Sequence, residues 1–191
     1  MVVSQRDGKT TMTMRGPQTK SMSLFCSADG DWVGIRFKVG TFMPRFNPGS
    51  LVNKDCNLPN AGDRSFWLDG SAWQFPDFEN ADSFVARLVS VGLLARDPVV
   101  DGALRGECDD VSARSMQRRF VQTTGLTRST IRQIERARSA MVQLKQGVPI
   151  LDVVHESGYY DQPHLTRSLK RWLGETPAEF AGLSQFDQVS V

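Results

Sequence analysis

The stretch from Gly158 to Phe180, G-Y-Y-D-Q-P-H-L-T-R-S-L-K-R-W-L-G-E-T-P-A-E-F, constrains the fold of this chain more than any other. Asp161 can accept from the free N–H groups of a first helical turn. Pro163 falls in that turn, where a missing N–H costs little. Leu165, Leu169 and Trp172 recur at i, i+4 and i+7, which predicts one apolar stripe on an amphipathic helix. Gly174 is placed to end the helix in a left-handed conformation. Thr176-Pro177-Ala178-Glu179 then spells a capping box with proline at the first helical position, so a final helix is expected. Gln162, Thr166, Arg167 and Lys170 lie away from the stripe. The helix thus has one buried side and one side of amide, hydroxyl and guanidinium groups, which are the groups that read base edges in a DNA major groove.

Upstream, Ile150, Leu151, Val153 and Val154 predict a short apolar-faced helix between Pro149 and Glu156, and Ser157-Gly158-Tyr159-Tyr160 follows as a tight connection. A helix, a glycine-containing turn and a polar-faced second helix make a helix-turn-helix pattern. Through Gly158, Tyr159, Gln162, Leu165, Arg167, Leu169, Lys170, Gly174, Thr176, Pro177 and Phe180, the stretch resembles the C-terminal half of an AraC/XylS-type DNA-binding domain. The resemblance covers about residues 97–182. It implies a bacterial, cytoplasmic transcription regulator, an activator or a repressor, whose domain holds two helix-turn-helix units joined by a long helix.

The residues themselves predict the first unit. Val99 to Leu104 is a short helix candidate. Ser112 can N-cap a helix from Ala113 to Thr124, closed by Gly125, with Met116 and Phe120 facing inward. Before it, Arg105-Gly106-Glu107-Cys108-Asp109-Asp110 departs from the family, which has a longer helix and a tight turn at this place. Thr127 can cap the next helix, whose stripe of Ile131, Ile134, Ala137, Arg138, Met141 and Leu144 runs on to about Gln146. At about 20 residues that helix would span roughly 30 Å, close to the roughly 34 Å of one DNA turn. Reading helices on either side of such a rod could address successive major grooves. The expected base readers are Arg114, Gln117, Arg118, Gln162, Pro163, Thr166 and Arg167, with phosphate contacts from Arg128 and Lys170. Gln suits adenine, Arg suits guanine, and Thr can touch a thymine methyl. Charge follows the same map: Arg114, Arg118, Arg119, Arg128, Arg132, Arg136 and Arg138 are accompanied by a single acid, Glu135.

Residues 1–95 predict short strands, loops and one helix. Thr10 to Met14 alternates like a half-buried strand, and Ser21–Cys26 and Trp32–Val39 flank a candidate hairpin turn at Ala28-Asp29-Gly30-Asp31. Thr41 to Asn60 is rich in Pro, Asn and Gly and reads as loop. Asn80 to Leu94 reads as a helix with Phe84, Leu88 and Val91 on one ridge. The stretches W-V-G-I-R-F-K-V-G-T-F and S-F-W-L-D-G-S-A-W-Q-F-P are similar to the sensor region of a subset of AraC/XylS-type regulators, which implies a shortened sensor or dimerisation region. The expected fold class is therefore α+β: a small antiparallel β region plus helix over 1–95, an all-α domain over 97–182, and a tail at 183–191.

Composition removes other classes. An apolar share of 40% and a charged share of 23% mark a globular chain. The net charge of +2 is too small to argue for nucleic acid, so only its distribution does. Cys26, Cys56 and Cys108 are odd in number and lack metal-ligand spacing, so no metal, cofactor or disulfide framework is expected. No apolar run is long enough to span a membrane. Asp152, His155 and Ser157 invite a catalytic triad, but no nucleophile elbow or oxyanion pattern accompanies them, and no enzyme is expected. Trp32, Trp67 and Trp73 are candidates to line an effector pocket. The partners expected are double-stranded DNA, RNA polymerase, a second copy through the N-terminal region and a small-molecule effector. The rival is a truncated interaction module that pairs with a full-length regulator and binds DNA weakly.

Overall fold

The computed structural model describes residues 1–22, 30–107 and 111–186. The first half of the expected turn at Ala28-Asp29-Gly30-Asp31, most of the strand expected over Ser21–Cys26, Cys108, Asp109, Asp110 and the end of the tail lie outside the described residues. The class is α+β, with antiparallel sheets and seven helices among the described residues. Contacts divide the chain into two compact units: Met1–Pro17 with Phe25–Thr127, and Gln18–Leu24 with Arg128–Val191.

The first unit begins with β1 (Val2–Arg6) and β2 (Lys9–Arg15), a hairpin paired Val2 to Thr13 and Arg6 to Lys9. Its two-residue turn, Asp7-Gly8, has φ of 50° and 72°, the backbone whose twist matches the flanking strands. Next come β3 (Asp31–Gly34), β4 (Thr41–Phe42), a 3-10 turn at Pro48–Leu51, and β5 (Asp55–Asn57). β3 and β5 flank the hairpin in the order β3-β1-β2-β5. The segment expected to be loop over Thr41 to Asn60 thus contains two short strands and a helical turn. The strands are too short for periodicity to show and form by pairing with distant partners, whereas the helical turn is local and capped by Asn47.

A second, three-stranded sheet follows from β6 (Asn60–Gly62), β7 (Ser65–Leu68) and β8 (Ser71–Gln74). Helix α1 (Ala81–Ser90) then buries Phe84 and Leu88 in the core with Met12, Phe66, Leu68 and Trp73. Phe66 lies 5.3 Å from the Phe75 ring centroid, and Trp73 meets Phe84 edge-on at 5.8 Å. α1 is shorter than the span expected to Leu94. The backbone turns at Gly92, and the N–H groups of Leu93 and Leu94 both donate to the Leu88 carbonyl, at 2.9 and 3.0 Å. Leu93 and Leu94 fold back into the core and Val91 is left exposed, so Val91 does not continue the ridge. β9 (Ala95–Arg96) pairs with β4, and α2 (Pro98–Arg105) and α3 (Ala113–Thr124) complete the unit.

The second unit is helical. α4 (Arg128–Lys145) runs 18 residues, a little shorter than expected, or about 27 Å of rise. α5 (Ile150–Glu156), α6 (Gln162–Leu173) and α7 (Pro177–Phe186) pack around it. Its core joins Ala137, Ala140 and Leu144 of α4 to Val153, Val154, Tyr159, Leu165, Leu169, Trp172 and Phe180. Ala137 and Ala140 of α4 are fully buried in this core. Leu165 and Leu169 are fully buried, and each contributes about 2 kcal/mol by removal from water. Ser21 also belongs to this unit: its N–H donates to the Arg171 carbonyl at 2.8 Å, at the C-terminal end of α6.

Candidate nucleic-acid interface

In the second unit, α5 ends at Ser157 and the chain reverses through Gly158, whose φ is 67°. The Tyr159 N–H donates back to the Val154 carbonyl at 2.9 Å. Tyr159 is buried, and its hydroxyl meets Ser168 Oγ at 3.1 Å, which ties the turn to the middle of α6. The Arg136 guanidinium of α4 lies 4.3 Å over the Tyr159 ring, and its Nη1 donates to the Gly158 carbonyl at 3.3 Å. Asp161 caps α6 by accepting from the His164 N–H at 2.6 Å. The His164 ring packs edge-on to Tyr159 at 5.2 Å.

This framework presents the face of α6 opposite Leu165, Leu169 and Trp172. Gln162, Pro163, Arg167 and Lys170 are exposed on it, and Thr166 is half-exposed. The Thr166 hydroxyl donates to the Gln162 carbonyl at 2.9 Å, so its methyl remains as the free end of the side chain. Arg171 is exposed and stacks on Trp172 at 4.5 Å. At the far end, Thr176 and Glu179 form the expected capping box. The Thr176 N–H donates to Glu179 Oε2 at 2.5 Å, and the Glu179 N–H donates to Thr176 Oγ1 at 3.3 Å. The backbone hydrogen bond from Thr176, then its side chain, holds the Glu179 carboxyl below its ordinary range.

In the first unit, Ser112 caps α3 by accepting from the Ser115 N–H at 3.3 Å. Met116, Phe120 and Thr123 are buried, and α3 packs on α2, β4 and the 3-10 turn at Pro48–Leu51. Arg114, Gln117 and Arg118 are exposed. Before α3, Arg105 pairs with Asp101 at 2.6 Å and with Glu107 at 2.7 Å, and its guanidinium holds both carboxyls below their ordinary ranges. The acidic look of this connection is thus offset in part by its own arginine.

The run of arginines read together from the sequence divides in the structure. Arg119 pairs with Asp97 at 3.0 Å, Arg138 pairs with Glu135 at 2.9 Å, and Arg136 serves the turn beneath α6. Arg114, Arg118 and Arg132 are exposed, and Arg128, in the first turn of α4, is half-buried. The hold of Asp97 on Arg119 and the role of Arg136 each depend on a partner more than 20 positions away and have no local signal, whereas the cap that Asp97 gives α2 is local and was signalled by Asp97-Pro98.

The remaining candidates separate likewise. The Ser157 hydroxyl donates to Gln143 Oε1 at 3.1 Å, and Gln143 Nε2 donates to Glu156 at 3.0 Å. Ser157 is thereby tied to α4, and Asp152 and His155 are exposed. Trp73 is core, Trp67 is exposed, and Trp32 lines an open cleft of about 450 Å³ with Val3, Gln5, Arg64 and Phe75.

Residues 110–182 match the family described as a helix-turn-helix domain. This segment is a helix-turn-helix domain. The match begins just before α3 and ends within α7, so α2 and the whole of residues 1–109 lie outside it. No curated protein and no solved structure matches the chain. The helix-turn-helix domain is a DNA-binding regulatory domain rather than a catalytic one. No helix among the described residues is long and apolar enough to cross a membrane.

Proposed function

We propose that the chain regulates transcription by reading a specific duplex site with two helices, α3 and α6, each entering a major groove. The observation that carries this reading is the polar face of α6. Gln162, Pro163, Thr166 and Arg167 stand on a helix whose other side is buried and whose first turn is pinned by the Asp161 cap and by the packing of His164 on Tyr159. Such a helix has little freedom left to lose on binding, which favours recognition. In this reading Gln162 and Arg167 pair with base edges, and the Thr166 methyl meets a thymine methyl. Arg114, Gln117 and Arg118 play the same part on α3. Arg128 and Lys170 neutralise phosphates and fix the register. Residues 1–95 would dimerise the protein or sense an effector.

The test is selection of binding sites from a random duplex pool with the purified full chain, repeated with Gln162→Ala, Arg167→Ala and Arg118→Ala. A bipartite motif, with half-sites about one helical turn apart, is the expected result. Gln162→Ala and Arg167→Ala should relax one half-site and Arg118→Ala the other, each lost base contact costing roughly 1–3 kcal/mol. A single short motif unaffected by Arg118→Ala would leave α6 as the sole reader. No motif at all would favour a module that acts through a protein partner.

A further inference from the structure

We propose that Tyr160 is a positioning residue for DNA, gripping the sugar-phosphate backbone through its phenol hydroxyl at the N-terminal end of α6. The inference rests on the reading of α6 given above and deepens it. Tyr160 is 91% exposed, more than any other large apolar side chain described. An aromatic ring left almost wholly in water forgoes the burial that its neighbour Tyr159 obtains at 5% exposure. Its mounting, however, is rigid. The Tyr160 N–H donates to His164 Nδ1 at 3.4 Å, and His164 is in turn held by Asp161 and by the Tyr159 ring. The next residues in sequence are the N-cap of α6 and the exposed Gln162 and Pro163.

The distribution of charge on α6 points to the same task. Its cations are Arg167, Lys170 and Arg171, all in the middle or last turn, and its first turn carries none. Within α6, a backbone grip at the first turn has no cation to supply it, and a neutral donor such as the Tyr160 hydroxyl suits that place. Tyrosine hydroxyls make such contacts to phosphate oxygens. A neutral donor displaces no counterion by itself, so this contact would tighten binding without steepening its salt dependence. That separates it from a lysine or arginine contact, and its indifference to sequence separates it from a base contact.

The test compares the full-length parent with Tyr160→Phe, Tyr160→Ala and Lys170→Ala on the duplex selected by the parent. Single-base changes of that duplex are included, and the salt concentration is varied. Tyr160→Phe should weaken binding by roughly threefold to tenfold on every duplex, the loss typical of one hydrogen bond. Its salt slope and melting temperature should match the parent. Tyr160→Ala should lose at least as much, and Lys170→Ala should flatten the salt slope. Parent-like binding by Tyr160→Phe, whatever Tyr160→Ala does, would overturn the inference and leave the reading of α6 intact. So would a loss confined to one base position, which would make Tyr160 a base reader. If the parent itself retains no duplex, the reading of α6 falls and this inference falls with it.

Discussion

Asp97 joins the start of α2 to the middle of α3. Its Oδ1 accepts from the N–H groups of Val99 and Val100 at 2.9 and 3.2 Å, and its Oδ2 accepts from Arg119 Nη1 at 3.0 Å. One buried carboxylate therefore caps one helix and holds the next, with the exposed Arg114, Gln117 and Arg118 on the helix that it holds. Asp97→Ala should cost about 1–3 kcal/mol, from the lost cap and the guanidinium left without its partner. Asp97→Asn, which can still cap, should cost less. Urea unfolding of the three proteins measures this, and an unchanged midpoint for Asp97→Ala would show that the carboxylate does not brace α3.

Arg136 is one more cation of the basic run in the sequence and a structural residue by geometry. Arg136→Ala should lower the melting temperature, with a loss of about 1 kcal/mol from the stacking on Tyr159 and the bond to the Gly158 carbonyl. Arg136→Lys should not restore it, since an ammonium cannot reproduce the planar stack. A variant with parental melting and only a flatter salt slope in DNA binding would make Arg136 a phosphate contact instead.

Two turns test backbone geometry separately from space. Gly158 has φ +67° with nothing within 4 Å of an added Cβ, whereas Gly125, at φ +72°, would place a Cβ 2.8 Å from the Pro48 carbonyl oxygen. Gly158→Ala should cost about 1 kcal/mol, the steric penalty of the left-handed backbone. Gly125→Ala should cost more, because the 3-10 turn at Pro48–Leu51 must also move. Equal losses in thermal unfolding would mean that this close approach exerts no constraint on the end of α3.

The capping box at Thr176 predicts a pH dependence. The Glu179 carboxyl is held below its ordinary value of 4.5 in the folded chain. A depressed carboxylate contributes its full stabilisation above its unfolded value and loses it as pH falls through the lower folded value. Carboxyl titration by NMR should place Glu179 below 4.5. Glu179→Gln, which can still accept from Thr176, should remove this part of the acid sensitivity. Titration of Glu179 at its ordinary value would contradict the cap.

Much of the C-terminal architecture is local, and so it is legible in the sequence. Asp161, Pro163, Gly174 and the Thr176-Pro177-Ala178-Glu179 box specify their helix ends through hydrogen bonds within a few residues. The stripe of Leu165, Leu169 and Trp172 states which face of α6 is buried. Two hairpins also had local signals, the Asp-Gly pairs at 7–8 and 69–70, whose positive φ values suit two-residue turns. β1 carries no alternation, because its two apolar residues, Val2 and Val3, are adjacent.

What tertiary structure alone decided are the partnerships across distance. A lone strand of two residues such as β4 has no stability until β9 pairs with it, so no pattern within Thr41 to Asn60 could announce it. Charge is likewise undirected in a sequence. Arg119 and Arg136 read like Arg114 and Arg118, yet folding brings them to Asp97 and to Tyr159 with the Gly158 carbonyl. A helical period fixes which residues share a face, because the backbone repeats every few residues. Which of those faces meets a carboxylate, an aromatic ring or water is fixed only when distant segments pack.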